Sequence, residues 1–113
     1  MRRRDLGRIG AGLVLALGIA GPASSQPGVP AAIRVFQFQP GTLEVRAGSR
    51  VTWRNEDDIT HTVTSGAVDR PDGRFDLQLP GKGTRGSAVF PEPGTYPYFC
   101  ARHPSMRGEV MVR

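Results

Sequence analysis

The chain has 113 residues with 15 basic and 10 acidic side chains, a net charge of +5. That length allows a single domain. The first 25 residues hold four arginines and one acid, leaving 11 basic against 9 acidic residues, net +2. No basic run interleaved with aromatics occurs after them, so nucleic-acid binding is not expected. A lone cysteine, Cys100, excludes an internal disulfide and calls for another explanation in an exported chain.

Residues 1–25 read as a signal peptide. Arg2, Arg3, Arg4 and Arg8 form a basic start, and an apolar run extends from Ile9 to Ala20. Gly21-Pro22 breaks that run, and Ala23-Ser24-Ser25 offers small residues for cleavage. The run is short for a membrane span, so stable membrane insertion is not expected. Arg3-Arg4-Asp5-Leu6 resembles a twin-arginine export signal, with ordinary Sec export as the alternative. Either route predicts an exported, periplasmic protein of about 88 residues, whose core would bury about 60–65% of the unfolded surface.

The remainder reads as strand and turn throughout. Residues 26–32 are expected to be a loose lead-in, and 33–113 the folded domain. Ile33 to Gln39 is β-branched and aromatic, and Pro40-Gly41 signals a turn. Leu43 and Val45 share one face of the next segment. Val51 and Trp53 share a face after Ala47-Gly48-Ser49, which predicts Trp53 as a core residue. The acidic loop Asn55-Glu56-Asp57-Asp58 leads to a strand beginning at His61.

Residues 65–86 are rich in Gly, Pro and charge, with one alternation at Phe75, Leu77 and Leu79 that is consistent with a short strand between long loops. Ser87 to Phe90 is a further strand, and Pro91-Glu92-Pro93-Gly94 a turn. Tyr96, Tyr98 and Cys100 then share a face, pointing Cys100 inward, and Gly108 to Arg113 closes the domain. Met111 falls opposite Val110 and Val112 and is given no ligand role. Seven to eight short strands without helices predict an all-β, Greek-key β-sandwich.

The chemistry concentrates in Cys100-Ala101-Arg102-His103-Pro104-Ser105-Met106. A thiolate, an imidazole and a thioether at Cys-x2-His-x2-Met spacing suit a copper ion held by His2Cys with a weak axial Met. His61 is the only other histidine, so the donor set closes as His61, Cys100, His103 and Met106. Taken singly, a lone Cys is often a small buried hydrophobe and a lone Met core filler. Structural zinc prefers four Cys/His ligands, and only three are present. A Cys-His nucleophile would leave Met106 without a role.

Three stretches resemble the cupredoxins of plastocyanin/amicyanin type, amicyanins above all. They are Phe36-Gln37-Phe38-Gln39-Pro40 with Leu43, Val45 and Gly48; Val51-Thr52-Trp53-Arg54-Asn55 leading to His61-Thr62-Val63; and Gly94 through Met106 and Gly108. The two-residue gap between His103 and Met106 is the short, amicyanin-like version. The resemblance implies one copper ion cycling between Cu(I) and Cu(II), with His61, Cys100 and His103 equatorial and Met106 axial. It also implies a Thr62 N–H bond to the Cys100 sulfur, and electron exit at His103 beside Pro104. The implied function is single-electron transfer between periplasmic partners, without enzymatic activity. A c-type cytochrome, an amine dehydrogenase or a copper oxidase/reductase is a conceivable partner, and the carrier is expected to be monomeric. A periplasmic copper carrier or storage protein would use the same ligands and stands as the alternative.

Overall fold

The computed structural model describes residues 28–113, so the signal-peptide reading of residues 1–25 lies outside the described residues. Nine strands and no helix are present among them: β1 Gly28–Arg34, β2 Gln37–Gln39, β3 Thr42–Val45, β4 Ser49–Asn55, β5 His61–Ala67, β6 Arg70–Leu79, β7 Arg85–Phe90, β8 Gly94–Cys100 and β9 His103–Val112. They form a four-stranded sheet, β2-β1-β4-β7, and a five-stranded sheet, β3-β9-β8-β5-β6. The pairs β1–β4 and β3–β9 are parallel, so both sheets are mixed. The chain changes sheet after β2, β3, β4, β6 and β7, which makes the all-β sandwich expected from the sequence.

Period-two alternation drives this architecture. Along β4, Ser49, Val51, Trp53 and Asn55 are buried while Arg50 and Arg54 face out. Trp53 is fully buried and meets rings from the opposite sheet, Phe75 at 5.9 Å and Tyr98 at 5.3 Å between centroids. Its indole N–H donates to the Tyr98 hydroxyl at 3.4 Å. Burial, opposed by that N–H and reinforced by the charge of Glu109, pushes the Tyr98 phenol above its usual pKa. Trp53 is therefore the core residue that its parity in the sequence predicts, and it links the two sheets.

Three segments differ from the sequence reading. Residues 28–32, expected as a loose lead-in, lie in β1 and pair in parallel with residues 50–54 of β4. Neither Gly28 nor Pro30 signals a strand, and the partner lies about twenty residues downstream, beyond any local pattern. Ile33 to Gln39 is not one strand but the end of β1, a tight turn at Val35-Phe36, and β2. The strand read at Phe75, Leu77 and Leu79 is present but longer, β6 running from Arg70 with no long loop before it, and it pairs with β5 through a register shift between Thr64 and Gly66. Gly66 sits at φ 104°, where a Cβ would lie 2.6 Å from the Arg70 carbonyl oxygen, so the shift requires glycine.

Candidate metal centre

Three connections converge at one pole: the β1–β2 turn, the β4–β5 loop and the β8–β9 turn. Cys100 ends β8 and His103 opens β9, the two being cross-strand partners. His103 and Met106 thus lie on the first residues of β9 rather than in a free loop. His61 opens β5 and pairs with Leu79. Cys100 and His61 are fully buried, Met106 is 3% exposed, and His103 is partly buried.

Among the described residues, His61, Cys100 and His103 bring one donor atom each within 4.8 Å of one another. The Cys100 Sγ lies 3.7 Å from His61 Nδ1 and 3.9 Å from His103 Nδ1. Metal–nitrogen bonds of about 2.0–2.1 Å and metal–sulfur bonds of about 2.3 Å, meeting near 120°, would space N and S by about 3.8 Å. The donors therefore already stand at ligand separation. A thiolate and two imidazoles, with the Met106 thioether nearby in the core, are the donor chemistry of a type 1 copper ion.

Thr62 fastens the thiolate to β5. Its N–H donates to Cys100 Sγ at 3.4 Å, and its Oγ1 accepts from the Ala101 N–H at 2.8 Å. The β5–β8 ladder pairs Thr64 with Phe99, a register that would set Thr62 opposite Ala101. There a side chain and a sulfur take over from the backbone ladder. Thr64 Oγ1 donates to Asp76 at 2.9 Å, so the Thr62 hydroxyl donates to Thr64 at 2.8 Å while receiving Ala101.

Asn55 and Asp57 organise the other side. Asn55 is fully buried; its amide N–H groups donate to the carbonyls of Ile59 and Leu79, and its Oδ1 accepts the Asp57 N–H. Asp57 Oδ2 lies 2.9 Å from His61 Nε2. With Nδ1 turned toward the sulfur, Nε2 carries the proton and donates to the carboxylate, which fixes the ring. The same carboxylate accepts the N–H groups of Val35 at 2.8 Å and Phe36 at 3.0 Å. Burial opposes ionisation of Asp57, but hydrogen bonds from Phe36, His61 and Val35 together hold its carboxyl below the usual range.

Val35 and Phe36 have φ values of 52° and 58°, so both adopt the left-handed region that side chains avoid. Sparsely populated backbone of this kind costs about 1–3 kcal/mol per residue. The Phe36 ring meets the His61 and His103 rings edge-on, at 5.3 and 4.9 Å between centroids. Neither Asp57 nor Phe36 stands out in the sequence as a site residue. The one available signal for Asp57 was an acid four residues before a ligand histidine.

The family of copper binding proteins described as plastocyanin/azurin matches residues 28–113. The chain belongs to this family. It is 37% identical over 84 residues to amicyanin-alpha of Methylorubrum extorquens, spanning 71% of this chain and 67% of that protein. With amicyanin of Paracoccus denitrificans the identity is 34% over 80 residues, spanning 71% of this chain and 61% of that protein. The match thus spans about three fifths to two thirds of the length of these amicyanins. A purple cupredoxin from Nitrosopumilus maritimus superposes with TM-score 0.69 at 30% identity, covering 75% of this chain and 99% of that one. Amicyanin from Paracoccus versutus gives TM-score 0.65 at 27% identity, over 82% and 85% of the two chains. The cupredoxin is thus amicyanin-like, and its type 1 copper site comprises His61, Cys100, His103 and Met106.

Proposed function

We propose that this cupredoxin carries single electrons between redox proteins in the periplasm, after export directed by residues 1–25. The observation that carries the reading is the buried Cys100 sulfur set at ligand distance from two imidazoles. Copper held by these donors supplies a one-electron couple. The chain's part would be to hold copper with His61, Cys100, His103 and Met106 kept in one arrangement, so that little would reorganise on transfer. The Thr62 N–H bond to sulfur withdraws charge from the thiolate and tunes the couple.

His103 is the least buried of these ligands and offers the electron its exit. Exposed Pro104 flanks it in sequence. Phe36, 48% exposed, touches its ring, and His103 lines a surface hollow together with Ile59, Thr60 and the exposed Arg102. This small rim, apolar at Phe36, Ile59 and Pro104 and positive at Arg102, suits a weak, transient encounter with another redox protein rather than a lasting complex. Amicyanin likeness favours a c-type cytochrome, an amine dehydrogenase or a copper oxidase/reductase as the partner, and the carrier acts as a monomer. No substrate is transformed by the chain alone.

Voltammetry of the copper-loaded protein tests the reading against a carrier or storage role. A reversible one-electron wave, with copper retained in both oxidation states against a chelator, is expected. An irreversible wave with ready loss of Cu(I) would instead identify a copper carrier.

A further inference from the structure

The β1–β2 turn has an unexpected sequence. Arg34 pairs with Gln37, leaving Val35 and Phe36 as a two-residue hairpin loop with both φ values positive. That is the type I′ geometry, which favours Asn-Gly and similar pairs. A β-branched valine there is a poor choice unless something outside the hairpin holds it. Asp57, from the β4–β5 loop, does so: its two oxygens accept the consecutive N–H groups of the turn. A charged acceptor makes these bonds shorter and stronger than neutral ones.

The same carboxylate reaches His61 Nε2, and its side chain is only 13% exposed. Its own position is set by the Asn55 side chain through the Asp57 N–H. One part-buried carboxylate therefore touches both a ligand imidazole and the turn that lays Phe36 against the two imidazoles. We propose that Asp57 is a positioning residue of the metal centre, fixing the tautomer and orientation of His61 while clamping the left-handed Val35-Phe36 turn over His61 and His103. The copper half of this rests on the metal-centre reading above; the positioning half stands on the apoprotein.

A carboxylate hydrogen-bonded to a ligand imidazole pushes electron density onto the ligand nitrogen. That favours the more highly charged copper state. Loss of such a partner typically weakens metal affinity about 10–100-fold. Cu(II) should lose more than Cu(I), and each tenfold difference raises the potential by about 59 mV.

The test compares wild type, Asp57→Asn, Asp57→Glu and the double variant Val35→Gly with Asp57→Asn. In the wild-type apoprotein, nitrogen-15 NMR should show His61 protonated on Nε2, with downfield Val35 and Phe36 amide protons. Asp57→Asn should move those amides upfield, lower the unfolding midpoint and raise the potential of the copper form. Asp57→Glu should recover part of the shift in potential. Val35→Gly, which relaxes the turn but leaves Phe36 in place, should recover stability in the Asp57→Asn background without recovering the potential. Recovery of both would reduce Asp57 to a turn clamp and overturn its role at His61. Unchanged amide shifts, tautomer and potential in a folded Asp57→Asn protein would overturn the whole proposal. Should wild type bind no copper, the metal reading fails, while the apoprotein signals still decide the placement of His61 and the turn.

Discussion

Thr62 holds the thiolate end of the site with two different atoms, and they can be separated by substitution. Thr62→Val keeps the shape of the side chain and the N–H bond to Cys100, but removes the acceptor for the Ala101 N–H. It also removes the hydroxyl that donates to Thr64. Leaving such groups unpaired costs about 1–3 kcal/mol. Urea unfolding of the apoprotein should show a loss of that size, whereas a change below about 0.5 kcal/mol, the range of an ordinary surface substitution, would contradict the relay.

The ligands themselves are legible as residues, because one Cys and two His leave almost no choice and the Met stands at the right spacing. Asp57 and Phe36 are not. Their roles depend on a turn that Val35-Phe36 does not advertise, and on contacts between segments more than twenty residues apart.

Among the strands, β8 and β9 fix the largest part of the site, since they carry Cys100, His103 and Met106. Their pairing sets Gly108 directly opposite Tyr98. A Cβ at residue 108 would stand 2.7 Å from the Tyr98 ring. That ring cannot yield easily, being 1% exposed with Trp53 and Phe38 packed edge-on against it. Gly108→Ala should therefore cost about 1–3 kcal/mol, read as a lower denaturant midpoint. An unchanged midpoint would mean that β8 and β9 can part more readily than this packing implies. Alternation in sequence reveals the faces of such strands, as Tyr96, Tyr98 and Cys100 illustrate. It says little about pairing, which is why the parallel β1–β4 contact and the β5–β6 hairpin escape a local reading.

Across the whole molecule the sandwich separates support from chemistry. The β2-β1-β4-β7 sheet carries Arg34, Arg50, Arg54 and Arg85 and no acidic residue in its strands. The strands of the other sheet carry Glu44, Asp72, Asp76 and Glu109 with three arginines. The pole that holds the site presents exposed Val35, Phe36 and Ile59, with Phe36 against the imidazoles and the cation Arg102 beside His103. Within the five-stranded sheet, the pairing of β5 with β8 brings His61 to the Cys100–Met106 segment, some forty residues away in sequence, which no local pattern could ensure. The all-β class was legible because turns punctuate alternating segments throughout, and a sandwich allows the loop ends carrying His61 and Cys100 to meet at one pole; that the β1–β2 turn joins them there was not legible.

Titration of the protein with Cu(II), followed by visible absorption and EPR, tests the central claim most directly. Saturation at one equivalent is expected, with an intense thiolate-to-copper band and narrow hyperfine splitting, both lost in Cys100→Ser. Colourless binding, more than one tight copper, or a blue band that survives Cys100→Ser would contradict a type 1 centre built on His61, Cys100, His103 and Met106.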